Sequence, residues 1–261
     1  MSLTAYRSNR DFAETPEPVG RMRRGSRSRI FVVQKHDASR LHYDFRLAVN
    51  GVLASWAIPK GPSMNPADKR LAARTEDHPL EYAKFEGVIP PGQYGAGTVM
   101  VWDLGKYQPL ENQPPEEQLA RGKIHIVLLG EKLRGGFTLV QIERRSISFS
   151  RSDYLLLIKS RDEYADPSWD IESLRFDCSV FTGREIPGLA GAVSEWVPLM
   201  LVDAAPPIGA SIGEHGLEAY RKICPRRAAA VFLPIWTRVS PSRISCADVD
   251  DDQGGRDRFG Y

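Results

Sequence analysis

Leu41-His42-Tyr43-Asp44-Phe45-Arg46-Leu47 alternates apolar and polar residues without a break. That period of two belongs to a β-strand, whose successive side chains point to opposite faces. Leu41, Tyr43, Phe45 and Leu47 are expected on one face. His42, Asp44 and Arg46 then share the other, about 6–7 Å from one to the next. Working outward, Ile30 to Lys35 reads as the preceding strand and Val52 to Ile58 as the following one. Asn50-Gly51 joins the central pair as a hairpin signal, because both residues tolerate the positive φ of a type I′ turn. Gly97 to Trp102, Ile124 to Leu129, Phe137 to Glu143 and Tyr154 to Ile158 continue the pattern, separated by Gly, Pro and Asn punctuation. Helical spacing is confined to Pro114 to Arg121, with a turn beginning at Asp162 to Tyr164. The expected class is mainly β and antiparallel.

The chain has 261 residues, 42% apolar and 26% charged, a composition that supports a proper core and excludes a fibrous or wholly disordered protein. Net charge is only +2, yet the first thirty residues carry seven arginines (Arg7, Arg10, Arg21, Arg23, Arg24, Arg27 and Arg29) against Asp11, Glu14 and Glu17. Guanidinium forks suit phosphate oxyanions, so a nucleic-acid partner and a solvated arm are equal readings of this segment. Cys178, Cys224 and Cys246 form no C-x-x-C pair, which argues against a disulfide framework or a cysteine zinc site. The first residues lack the apolar core of a signal peptide and no run is long enough for a membrane helix, so a cytoplasmic location is expected.

On the polar face of the central strand, imidazole and carboxylate are spaced to converge on a divalent cation, with Arg46 placed to hold an anion beside it. Asp37-Ala38-Ser39-Arg40 suits a tight connection that brings His36 beside His42. His36, His42 and Asp44 form a ligand set suited to manganese, iron or zinc that leaves positions open for water and substrate. Solvated strand polar residues are the plainer alternative, disfavoured by three ligand types and an arginine on one face. Glu76-Asp77-His78-Pro79-Leu80-Glu81-Tyr82 sets His78 and Tyr82 four apart, facing the same way if the turn from Pro79 is helical. Lys60 sits on a turn, where a solvated lysine is the simpler reading. The loop Gly87 to Gly97 reads as a structural connector, and His125 and His215 as non-ligands.

The run Phe31-Val-Val-Gln-Lys-His-Asp-Ala-Ser-Arg-Leu-His-Tyr-Asp-Phe-Arg46 resembles the 3′-phosphoesterase module of bacterial DNA ligase D. Ser55-Trp-Ala-Ile-Pro-Lys-Gly-Pro62, Glu76 to Tyr82 and Phe85-Glu-Gly-Val-Ile-Pro-Pro-Gly-Gln-Tyr-Gly-Ala-Gly-Thr98 extend the resemblance, which begins near Tyr6-Arg7 and fades around Ser179 to Arg184. It implies a compact antiparallel β-barrel with short flanking helices. The implied activity removes a terminal ribonucleoside and then the 3′-phosphate, leaving 3′-hydroxyl ends for repair by non-homologous end joining. His36, His42 and Asp44 match the family's manganese ligands, and Arg46, His78 and Tyr82 its phosphate-contacting residues. Arg10, Asp11, Glu17, Lys60, Arg70 and Glu76 match positions linked to activity. His78 is then the candidate donor to the leaving oxygen. The implied substrate is a DNA or RNA/DNA primer-template 3′ end. A separate ligase or polymerase is the expected partner of what resembles a stand-alone version of the module.

Residues 1–30 are expected to form a basic arm contributing to the site, 30–195 the barrel domain, and 196–261 an irregular extension. Two rivals remain. One is a non-catalytic nucleic-acid-binding or ligase-recruiting module with a structural metal. The other is a two-histidine, one-carboxylate iron oxygenase using His42, Asp44 and His78.

Overall fold

The computed structural model describes residues 1–23, 25–142, 154–173 and 176–190. The expectations for 196–261, for His215 and for the end of the barrel domain at residue 195 lie outside them. Nine strands appear among the described residues: β1 Ile30–Asp37, β2 Leu41–Val49, β3 Val52–Ile58, β4 Lys69–Arg74, β5 Gly87–Ile89, β6 Gly97–Pro109, β7 Lys123–Leu129, β8 Arg134–Gln141 and β9 Tyr154–Lys159. Every pairing is antiparallel, in the order β1-β2-β3-β4-β9-β8-β7-β6, and β6 returns to β1. The ring is a closed eight-stranded barrel, with β5 attached outside it to β6. Closure removes the unpaired edges that an open sheet would expose.

β2 and β3 occupy the expected residues, and their turn has φ of 49° at Asn50 and 81° at Gly51. Gly51 is required twice over, because a Cβ there would also collide with the Arg23 backbone. β4 and β5 were not expected from the sequence, and β6 runs seven residues beyond Trp102. The helix expected over Pro114 to Arg121 is α2, Pro115–Ala120. A short helix α1, Thr4–Ser8, a 3-10 helix, Leu80–Lys84, and α3, Ile186–Ala190, flank the barrel. None of the described helices is long and apolar enough to cross a membrane.

Two apolar clusters separate by strand parity. Phe31, Val33, Tyr43, Phe45, Leu47, Trp56 and Trp102 fill the barrel interior with residues of β7, β8 and β9. Val32, Ala48, Leu53, Val99 and Val101 face outward and are covered by Tyr6 of α1, Tyr82 and Ala83 of the 3-10 helix, and Phe85 and Ile89. The outer wall of β1, β2 and β3 is therefore a second buried layer. It is against this covered wall that the polar residues of β2 sit.

Asp103 of β6 ties the barrel to the β7–β8 connection. Its Oδ1 accepts from the backbone N–H groups of Leu104, Glu131 and Lys132 at 3.0, 3.0 and 3.2 Å, and Oδ2 accepts from Leu133 at 2.8 Å. Asp103→Asn presents an amide donor where a backbone donor points. It is expected to destabilise the protein by about 1–3 kcal/mol, seen as a lower midpoint in urea unfolding with an unchanged slope.

Candidate metal and phosphate site

The β1–β2 hairpin places His36 directly opposite His42 and Gln34 opposite Asp44. β3 adds Ala57 beside Asp44 and Ser55 beside Arg46. Gly97 permits this hairpin, since a Cβ there would strike the backbone of Asp37 and Ala38. One candidate ligand atom from each of His36, His42 and Asp44 lies within 4.8 Å of the others. His36 Nδ1 is 3.8 Å and His42 Nε2 3.9 Å from the Asp44 carboxylate, too long for hydrogen bonds, so the three groups converge without satisfying one another.

The donor set fits a divalent cation. His42 Nδ1–H donates to the Arg40 carbonyl at 2.9 Å, which fixes the tautomer and leaves Nε2 with its lone pair toward Asp44. His36 Nε2 is buried with no hydrogen-bond partner among the described residues. Burial works to raise the Asp44 pKa, but the Arg46 guanidinium, with the two imidazoles, overrides it and holds the carboxyl well below the usual carboxylate range. Two imidazoles and one ionised carboxylate in a partly closed cleft suit manganese, iron or zinc.

Arg46 is buried and every nitrogen is engaged. Nε donates to Gln34 Oε1 at 2.8 Å, Nη2 to Asp44 Oδ2 at 3.0 Å, and Nη1 stands 2.8 Å from His78 Nδ1. His78 reaches this position because its backbone pairs with Leu53 of β3 through two hydrogen bonds, at 2.7 and 3.0 Å. Its Nδ1 is also 2.9 Å from the Glu76 carbonyl, while Arg10 Nη2 is 3.4 Å from Nε2. A guanidinium only donates and a carbonyl only accepts, so two neutral tautomers compete, each with its own partner. Burial first, then Arg46 and Arg10, hold the His78 pKa well below the ordinary histidine value. The expected proton donor to the leaving oxygen is therefore an uncharged imidazole in this site.

The 3-10 helix sets Tyr82 beside His78, with ring centroids 4.6 Å apart. The Tyr82 hydroxyl donates to Glu17 Oε1 at 3.0 Å, and burial pushes its pKa well above the usual phenol value. Glu17 also accepts from Arg10 Nε at 2.9 Å and from Thr15 Oγ1 at 2.9 Å. Arg10 continues to the Tyr6 carbonyl at 3.0 Å and to Glu76, whose other oxygen accepts from Asn9 at 2.8 Å. Burial works against the Arg10 cation, but Glu17 and Glu76 outweigh it and raise its pKa. Arg10, Glu17 and Glu76 thus form one buried ion cluster against His78.

Other expected residues lie elsewhere. Asp11 is exposed and opens a turn, its carboxylate accepting from the Ala13 N–H at 3.0 Å. Lys60 is exposed on the turn after β3. Arg70 shares a strand face with the core residue Ala72 and pairs with Asp68 at 2.7 Å. The oxygenase arrangement does not form, because among the described residues the metal-capable group is His36, His42 and Asp44, and His78 is engaged with Arg46.

Two contributors escaped the sequence reading. Gln34 links Arg46 to the 3-10 helix, its Nε2 donating to the Tyr82 and Phe85 carbonyls at 3.1 and 3.0 Å. Its place two residues before His36, on the same strand face, was the available signal. The Gly87 to Gly97 stretch is more than a connector, since Ile89, Tyr94 and Gly95 line the cleft with the metal cluster, Arg10, Arg46, His78 and Tyr82. The cleft holds about 180 Å³.

Residues 34–141 match the family model described as the DNA ligase D 3′-phosphoesterase domain. A multifunctional non-homologous end joining protein LigD from Pseudomonas aeruginosa is 50% identical over 162 residues, which is 61% of this chain and 19% of that protein. A protein of the same name from Mycolicibacterium smegmatis is 45% identical over 149 residues, 55% of this chain and 20% of its own length. The multifunctional non-homologous end joining DNA repair protein LigD of Mycobacterium tuberculosis is 44% identical over 140 residues, 53% of this chain and 18% of that protein. The chain spans about a fifth of the length of these curated relatives. The matched segment contains His36, His42, Asp44, Arg46, His78 and Tyr82; Arg10, Asp11 and Glu17 precede it.

Two outcomes follow from this geometry. His42→Ala removes one of three candidate ligands and is expected to weaken divalent-cation binding at least tenfold by calorimetric titration, while urea unfolding of the metal-free protein changes little. His78 binds a proton more readily unfolded than folded. Stability should therefore fall as pH drops below about 6.5, and His78→Asn should flatten that part of the stability–pH curve relative to wild type.

Proposed function

We propose, from a chain whose residues 34–141 match the DNA ligase D 3′-phosphoesterase family, that this protein is a divalent-metal-dependent phosphoesterase acting on DNA 3′ ends. It removes a 3′-terminal ribonucleoside as a phosphodiesterase, then the remaining 3′-phosphate as a phosphomonoesterase, leaving a 3′-hydroxyl. The observation that carries this reading is the convergence of three mutually unsatisfied ligands beside a buried, ionised Arg46.

His36, His42 and Asp44 hold the cation, most suitably manganese. When bound, it supplies Lewis-acid polarisation of a phosphoryl oxygen and a lowered pKa for a coordinated water. Arg46 is preorganised for the negative charge that grows on the phosphoryl oxygens, since its other donors are already fixed. His78, uncharged, offers a hydrogen bond from a position locked by Leu53, Arg46 and Arg10. Tyr82 and Glu17 orient Arg10, and Glu76 balances its charge; these three position rather than react. Supporting roles for Asp11, Lys60 and Arg70 come from the family resemblance, since none of the three lines the cleft.

The substrate is a DNA or RNA/DNA primer-template end, processed for end joining with a separate ligase or polymerase, in the cytoplasm. Phosphate contacts have a ready surface. A groove of about 460 Å³ at the Ile30 end of β1 is lined by Arg23, Arg27, Arg29 and Lys106, all exposed. Affinity for the primer-template is accordingly expected to fall steeply with added salt.

The test is manganese-dependent processing of a primer-template bearing one 3′-terminal ribonucleotide. Wild type is expected to release the terminal nucleoside and go on to a 3′-hydroxyl product. His42→Ala and Arg46→Ala should each lose at least a hundredfold in rate while still binding the substrate. Binding without processing by the wild type, across several divalent metals and on 3′-phosphate ends too, would replace this reading with a non-catalytic DNA-binding or ligase-recruiting module holding a structural metal.

A further inference from the structure

Tyr94 is a large aromatic residue left 56% exposed at the lip of the cleft. Most buried aromatic rings near the site are held by packing: Tyr6, Tyr82 and Phe85 lie in the apolar layer on the outer wall. Tyr94 is not. Its loop turns twice, with Gln93 N–H donating to the Pro90 carbonyl and Ala96 N–H to the Gln93 carbonyl, both at 3.1 Å. Gly92 and Gly95 take φ of 88° and 78°, and a Cβ on Gly92 would meet nothing within 4 Å, so the loop tip stands in open space. The position is nevertheless defined relative to the chemistry. The Arg10 guanidinium carbon is 5.6 Å from the Tyr94 ring centroid, and Arg10 continues to His78 at 3.4 Å. On the other side, Gly95 lies against His36, where an added Cβ would be 3.9 Å from the ligand imidazole.

An exposed ring one residue from a metal ligand's neighbour, with a guanidinium over one face, leaves its other face as a surface for another flat group. Base stacking on aromatic side chains requires no hydrogen-bond pattern, since every base offers a π-face. That suits a site that must accept any terminal base. We propose that Tyr94 is a binding residue that stacks on the base of the 3′-terminal nucleoside, while the phosphate to which that nucleoside is attached sits at the His36–His42–Asp44 cluster and Arg46. This rests on the 3′-end reading and adds to it the recognition of the departing nucleoside. A ribose without a base lacks the stacking partner and is the poorer substrate.

The test has two readouts. In metal-free buffer, a primer-template with a 3′-terminal 2-aminopurine riboside is titrated with the 261-residue chain, with binding followed by anisotropy and stacking by 2-aminopurine fluorescence. The wild-type complex and Tyr94→Phe should be quenched at saturation, and the Tyr94→Ala complex brighter. With manganese, the ratio of kcat/KM for a base-bearing terminal riboside to that for an abasic ribose end should fall about tenfold or more in Tyr94→Ala. Equal quenching in wild type and Tyr94→Ala, or an unchanged ratio, overturns the stacking role; so does absence of binding. Quenching that depends on Tyr94 without any turnover leaves the stacking role standing and overturns the enzymatic reading alone.

Discussion

A guanidinium buried against the outside of a β-barrel has to be paired on every side, because an unpaired buried charge costs several kcal/mol. Arg46 meets that demand with Gln34, Asp44 and His78, and each partner is thereby fixed. Gln34 in turn holds the 3-10 helix that carries Tyr82, and His78 draws in Arg10 from the N-terminal segment. The cleft is a chain of such obligations. Remove the positive charge at its centre, and Asp44 loses the main influence that keeps it ionised.

The second layer on the barrel wall explains why the N-terminal segment matters to the site. Tyr6 packs beneath the cleft and donates its hydroxyl to the Pro18 carbonyl at 2.6 Å, closing the loop that delivers Arg10 and Glu17. Arg10 lies 3.9 Å above the Tyr6 ring, so the cation that flanks His78 rests on an aromatic floor from its own segment. The basic character of this segment divides accordingly. Arg10 is internal and structural to the cleft, whereas Arg21, Arg27 and Arg29 are exposed, as is Arg23, which pairs with Glu81.

Much of this was legible because β2 alternates strictly. The period of two assigned His42, Asp44 and Arg46 to one face, and a short hairpin brought in His36, as the register shows. Hidden were features that depend on distant partners. Lys69–Arg74 lacks a β-branched residue and becomes a strand only because β3 and β9 supply hydrogen bonds on both sides. Gly87–Ile89 is too short to announce itself. Periodicity also could not reveal that the polar face of β2 is covered: His36, Asp44, Arg46 and His78 are buried, and burial keeps His78 uncharged while Arg46, acting against burial, keeps Asp44 ionised.

β2 is buried on both sides along most of its length, with aromatic and aliphatic groups inward and ionic groups outward. A strand that is solvated on one face can slip by two residues and lose only some packing. Here even a single-residue slip would drive Arg46 and Asp44 into the hydrocarbon interior and turn Phe45 toward the cation. The register that buries Phe45 is consequently the same register that brings His36, His42 and Asp44 together.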